Sequence, residues 1–165
     1  MVAITPHWAL RPAVELDAHW IAELRAVALR ADLERLGRFD PIRVRQRFLS
    51  AFEPALTKVV LVDGREAGSI AVRPDADSLW IEHFYVAAEL QGRGVGSRVL
   101  RQLLADRGSQ PTFRLNVLQG SRARALYERN GFVVESEDPV DVFMVRPCCD
   151  SASGDRPALA PWAGR

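Results

Sequence analysis

The sequence predicts a fold that mixes helices and strands, α/β in the α+β sense, with about four helices. Three observations carry this expectation. Two helix-spaced apolar patterns open the chain, two β-branched runs meet around Asp63-Gly64, and an aromatic-rich strand leads straight into a glycine run and a further helix.

Taken in order, "VELDAHWIAELRAVALRADLERLG" carries Trp20, Leu24, Val27 and Ala31 at steps of four, three and four, the spacing of one helix face. Asp17 suits its N-cap and Gly37 its stop. In "DPIRVRQRFLSAF", Pro41 stands where a first helical turn tolerates proline, behind Asp40, with Ile42, Phe48, Leu49 and Phe52 as apolar anchors. Asp63-Gly64 is a dipeptide that favours a tight hairpin turn between "LTKVVLV" and "REAGSIAV". "SLWIEHFYV" reads as a third strand. Val95, Val99, Leu100, Leu103 and Leu104 then repeat with helical spacing towards Gly108, and "PTFRLNV" alternates as a strand. A short helix, "SRARALYERNGF", closes at Asn130-Gly131, and two final strands surround Asp138-Pro139. One domain is expected over residues 1–147, with 148–165 a turn-rich, flexible tail.

Composition narrows the function classes. A chain of 165 residues with 48% hydrophobic and 26% charged content is of ordinary globular type and large enough for a core without staples. Cys148 and Cys149 are adjacent, which suits neither a disulfide framework nor a metal cage, so no metal is expected and a reducing compartment is favoured. No run approaches a membrane span and the first residues lack a signal-peptide layout, so the expectation is a cytoplasmic protein with no membrane partner. A formal charge of +1 argues against whole-chain capture of nucleic acid.

"ELQGRGVGSRVL" sets Gly92, Gly94 and Gly96 at a strand-to-helix junction. Backbone amides there, with the positive end of a helix dipole, suit a phosphate group, and glycine removes the Cβ atoms that would block approach. A flexible turn is the alternative. A P-loop would need Lys followed by Ser or Thr after the last glycine, where Ser97 and Arg98 stand. The dinucleotide fingerprint would need glycine at Ser97, after the first strand of a parallel unit, and here the run follows a hairpin.

Several blocks in order resemble the GNAT superfamily of N-acetyltransferases. "QGRGVGSRVL" is similar to its pyrophosphate loop and following helix through Gln91, Gly94 and Gly96; "IEHFYVAAE" resembles the strand before that loop; "RARALYERNGF" resembles its later helix block through Ala125, Leu126, Tyr127, Gly131 and Phe132. The likeness is strong over residues 78–135. It implies a mixed, mostly antiparallel sheet that splays at its middle, with acetyl-CoA as co-substrate in the split and a small-molecule or peptide amine entering from the other side. By the same likeness Val86 contributes backbone contacts to the pantetheine arm, and the amides near Gln91, Gly92, Arg93, Gly94, Gly96 and Ser97 hold the pyrophosphate. Two departures stand out. Gly120 occupies the place of a common asparagine, for which Asn116 is a substitute by proximity, and Ala88-Glu89 replaces a frequent Pro-Glu.

Transfer from a thioester to an amine needs a neutral nucleophile, a stabilised oxyanion and a protonated leaving group. Deprotonating an ammonium of pKa ~10.4 at pH 7 takes about 4.6 kcal/mol. Glu82 resembles the family's frequent base by position, yet an ordinary carboxylate near ~4.3 is mismatched by roughly 8 kcal/mol, so burial, a water relay or simple orientation of the cation must enter. A solvated strand face is the alternative for Glu82. His83, the next residue, should face the opposite side of a regular strand. Tyr127 matches a phenol that donates to the thiolate, against the alternative of a packed core tyrosine. The oxyanion would meet a backbone amide near Val86. Arg38, Arg43, Arg45 and Arg47 form either a steering patch or a solvated helix face. The expected activity is thus acetyl-CoA-dependent N-acetylation of a primary amine in a ternary complex. Its rivals are a non-catalytic acyl-CoA-binding or regulatory domain and an arginine-based nucleic-acid module. A second copy of the chain is a possible partner, and the acceptor is not named by any residue.

Overall fold

The structure, a computed structural model, describes residues 7–107 and 112–148. Gly108, Cys149 and the expected tail from 149 onwards lie outside the described residues. Strand β1 (Trp8–Pro12) comes first among the described residues, followed by helices α1 (Ala18–Arg35) and α2 (Pro41–Ala51). A strand trio, β2 (Thr57–Val62), β3 (Arg65–Asp75) and β4 (Ser78–Val86), leads to α3 (Val95–Asp106). The last elements are β5 (Thr112–Leu118), α4 (Ala123–Glu128), β6 (Val133–Glu137) and β7 (Asp141–Arg146).

Local chemistry accounts for most boundaries. Asp40 Oδ1 accepts from the amides of Ile42 and Arg43, both at 2.9 Å, and Pro41 opens α2 as expected. Gly37 takes φ +66°, and the bonds from Arg38 N to Leu33 O (2.7 Å) and from Gly37 N to Glu34 O (3.0 Å) close α1 in a Schellman motif. Asp63 and Gly64 both have positive φ, the signature of the tight hairpin between β2 and β3.

Asp17 behaves differently from a simple cap. Its buried carboxylate makes no cap bond to α1 and instead accepts two bonds from Arg11 (2.8 Å each), one from Val14 N (2.8 Å) and one from Trp20 Nε1 (2.9 Å). The Arg11 guanidinium holds this carboxyl far below the usual carboxylate range. The folded value lies below the ordinary 3.8, so the contribution is present at neutral pH and is lost as pH falls through and below 3.8. Asp17→Asn is expected to lower the unfolding free energy by about 2 kcal/mol at pH 7. Urea titrations should show that gap shrinking at acid pH.

The seven strands of the described residues form one sheet in the order β1-β2-β3-β4-β5-β7-β6. Every contact is antiparallel except β4 with β5, which is parallel and pairs only Ser78, Leu79 and Trp80 with Thr112, Phe113 and Arg114. Beyond those three pairs β4 continues to Val86 beside β3 and β5 to Leu118 beside β7 without pairing with each other, so the sheet opens at its centre. This is the mixed, splayed sheet with four helices that the sequence implied.

The sheet is covered on both faces. One core joins Val95, Val99, Leu100, Leu103 and Leu104 of α3 to Ile70, Ile81, Phe113, Leu115 and Met144. A smaller core joins Ile21, Ala22 and Phe48 of α1 and α2 to Val59 and Tyr85. The α1 face differs from the expected one, because Val27 is 63% exposed while Ile21, Ala22 and Ala26 are buried. Apolar residues surround much of this helix, so its period alone does not choose the buried side.

Candidate active site

The glycine run occupies the mouth of the split. Gly92 and Gly94 take φ +75° and +79°, conformations in which a Cβ is strained, and Gly94 is the N-cap of α3. Among the described residues, the amides of Gly92, Gly94, Val95, Gly96 and Ser97 have no acceptor, whereas Arg98 N returns to Gly94 O at 3.1 Å. Two of the expected positions differ. The amides of Gln91 and Arg93 close the loop on itself, donating to Ala88 O (3.2 Å) and Leu90 O (3.4 Å). The Gln91 side chain also donates to Val86 O at 2.9 Å and ties the loop to the end of β4. Arg93 is exposed. Gly96 looks inward, where a Cβ would meet Leu126, Phe84 and Val86 at ordinary contact distances of 3.7–3.9 Å, so α3 packs close to β4 and α4 beside the slot left between β4 and β5.

The backbone of β4 opens into that slot. Ala87 N donates to Ala67 O at 2.8 Å, which makes Gly68 and Val86 a non-hydrogen-bonded pair of the antiparallel ladder. The Val86 N–H therefore points away from β3, towards the gap that β5 has left. Four residues earlier the strand bulges. Ala71 pairs with Glu82 and Ser69 with Tyr85, so His83 and Phe84 together stand opposite Ile70, and His83 takes φ +50°.

Tyr127 projects from α4 and is buried against Phe132, with ring centroids 5.8 Å apart. Burial raises its phenol above the ordinary value of 10, and the nearby Tyr85 adds to the rise. Tyr127 and Tyr85 thus belong to one region although they come from opposite sides of the sheet.

Comparison with known proteins sharpens this picture. A model of the acetyltransferase (GNAT) domain matches residues 54–134, the span from β2 to β6. The chain belongs to the GNAT acetyltransferase family. It is accordingly an acyltransferase by class. No curated protein gives a significant match in sequence. The fold is shared with the PaiA N-acetyltransferase of Thermoplasma acidophilum solved with coenzyme A, at TM-score 0.68 and 17% identity over 86% of this chain and 99% of that one. It is shared equally with the ribosomal-protein-S18-alanine N-acetyltransferase of Escherichia coli, at TM-score 0.67 and 17% identity over 93% and 100%. An acetyltransferase of Thermus thermophilus superposes at TM-score 0.67 with 16% identity over 87% and 98%.

On the α1/α2 face of this GNAT sheet, Glu82 holds Arg73 through Nη2 at 2.9 Å and Nε at 3.2 Å. The expectation that His83 and Glu82 face opposite sides is corrected by the bulge, which breaks strand alternation. His83 packs edge-on against Phe48 of α2 at 4.9 Å, on the Tyr85 side, and feels the Glu82 charge. Burial, with help from the Arg25 charge, pushes the His83 imidazole down to about 4, so it is neutral at pH 7.

Asn116 lies apart from the glycine run. Phe113, Leu115 and Val117 face the α3 core, so Asn116 projects from the other side of β5, exposed, and donates to Asp141 at 2.8 Å. What fills the space beside Gly120 is Arg35. A Cβ at Gly120 would come within 2.9 Å of the Arg35 guanidinium, which bonds the Gln119 carbonyl. Among the α2-region arginines, Arg45 is paired with Glu23 at 2.6 Å.

Sequence reasoning passed over Arg25, and for Tyr85 it left a binding surface and the core as alternatives. Arg25 of α1 donates to the Tyr85 hydroxyl at 2.5 Å and to Val44 O at 3.1 Å, and His83 Nδ1 lies 3.4 Å from the same hydroxyl. A tyrosine on a central strand reads as core, and only the fold reveals a partner 60 residues away.

Proposed function

We propose that this GNAT protein transfers the acetyl group of acetyl-CoA to a primary amine by direct attack in a ternary complex. The observation that carries the reading is the set of amides at Gly92, Gly94, Val95, Gly96 and Ser97 that have no acceptor among the described residues, opening at the point where β4 and β5 part. Such amides, with the dipole of α3, suit a diphosphate. The chemistry of the slot fits the rest of the molecule. Its walls at Phe84, Val86 and Leu126 are apolar, and the Val86 N–H supplies a main-chain donor to an extended arm or to a developing oxyanion.

The residues divide the reaction between them. Tyr127 keeps its proton at neutral pH and delivers it to the departing sulfur. Glu82, already in an ion pair with Arg73, orients the ammonium of the acceptor, and the proton leaves through water before attack. Glu82→Gln is expected to raise KM for the amine about threefold to tenfold with a smaller effect on kcat, the pattern of lost ground-state binding. A tenfold or larger fall in kcat alone would make Glu82 a base. Calorimetry with acetyl-CoA, followed by thiol release with a panel of amines, tests the reading as a whole. Absence of acetyl-CoA binding overturns it, and binding without turnover of any amine points to the non-catalytic alternative.

A further inference from the structure

On the α1/α2 face, arginines meet carboxylates. Arg11 holds Asp17 and Glu66, Arg45 holds Glu23, Arg73 holds Glu82, and Arg114 holds Glu135 and Asp77. Arg25 breaks this pattern. It is part-buried between α1, α2 and β4, and both of its acceptors, Val44 O and the Tyr85 hydroxyl, are neutral. Among the described residues no carboxylate lies within the 4.0 Å of an ion pair, and Nη2 has no acceptor. A guanidinium cannot shed its proton to relieve burial, so a positive charge and the outer edge of a five-donor fork stay unmatched.

The place of that charge matters. Tyr85, which anchors it, is buried at the split and near Tyr127, and the neighbouring imidazole of His83 is neutral. The Glu82 carboxylate, the nearest acidic group on β4, is already occupied by Arg73. Beside the position where the amine must arrive, the acceptor side of the slot therefore presents in Arg25 a part-buried cation with no carboxylate partner among the described residues.

We infer that Arg25 receives a carboxylate of the acceptor, so that the substrate is an amine carrying a carboxylate group. The inference rests on the acetyltransferase reading given above. The fork of Arg25 matches a planar carboxylate through the second Nη1 proton and those of Nη2, while its Tyr85 and Val44 bonds hold the fork in place. Arg25 is thus a specificity-determining residue: it favours one acceptor class and leaves the diphosphate site, on the other side of the sheet, untouched.

The test uses the full chain, acetyl-CoA and amines supplied as matched pairs, each carboxylate-bearing amine beside its own carboxamide. The carboxylate member is expected to have the higher kcat/KM by about 10- to 100-fold, the range of a charge-assisted hydrogen bond. Arg25→Met should erase that preference while calorimetry shows unchanged acetyl-CoA affinity. Arg25→Lys, which keeps the charge and loses the fork, should keep part of it and serves where the methionine variant does not fold. A merely structural pin would slow both members of each pair alike. Equal or better turnover of the carboxamides, an undiminished preference in Arg25→Met, or turnover of neither member overturns the role of Arg25. Failure to bind acetyl-CoA overturns the acetyltransferase reading itself.

Discussion

Replacing Tyr127 by Phe is expected to lower kcat by about 100-fold or more, within the range of a lost general acid. Acetyl-CoA affinity should stay within a factor of about two, because the amides of Gly92 and of Gly94 to Ser97 do not depend on a phenol. The buried hydroxyl has a pKa above its ordinary value of 10, so it is protonated over the whole neutral range. A thiolate near ~8.5 would take that proton uphill by roughly 2 kcal/mol or more, which requires transfer to accompany C–S cleavage. The pH profile of the parent should accordingly show no loss of activity from this group below pH 10. Steady-state thiol release gives the rate and calorimetry the affinity. A rate within about threefold of the parent would remove Tyr127 from the chemistry and leave it a packing residue against Phe132.

Gly68→Ala is expected to be the most disruptive single methyl in the sheet. A Cβ at Gly68 would collide with the main-chain carbonyl of Tyr85, and a backbone atom cannot rotate aside as a side chain can. The same glycine pairs with Val86, whose N–H opens into the slot. Relief of the clash must push β4 away at the point where it has no second neighbour. We expect a loss of about 3 kcal/mol in stability, at the upper end of overpacking effects. A displacement near 1 Å at the reacting centre lowers rate by about 100-fold. Urea unfolding and kcat/KM measured on the same preparation separate the two effects. Parent-like values of both would mean that β4 accommodates a methyl group here.

Some parts of this molecule can be read from short stretches because the physics is local. A positive φ asks for glycine within one residue, which is why Gly92, Gly94 and the Asp63-Gly64 turn were recognisable. The α2 cap needs only Asp40, Pro41 and the next two amides. The loop and later helix block together also brought the family into view, and the domain match from 54 to 134 agrees.

Other parts depend on partners that sequence order does not reveal. The bulge at His83 exists because β3 offers one residue, Ile70, opposite two, and alternation within β4 alone suggests the contrary. Asn116, on the neighbouring strand, was the substitute by proximity for the asparagine missing at Gly120, yet the face it takes is set by Phe113, Leu115 and Val117 packing on the α3 core. The place beside Gly120 is taken by Arg35, from an element far upstream. Strand β1 went unassigned because its pairing with β2, rather than its own short pattern, makes it a strand.

By itself the sequence determined the hairpin turn, the α2 cap, the bare glycine loop and the family, since each rests on torsional limits or motifs spanning a few residues. Tertiary structure alone decided that β4 and β5 part after three pairs, that His83 joins the Glu82 side, and that an unmatched Arg25 stands at Tyr85. Those outcomes are balances among long-range contacts, in which register and charge pairing are settled only once distant strands and helices lie side by side.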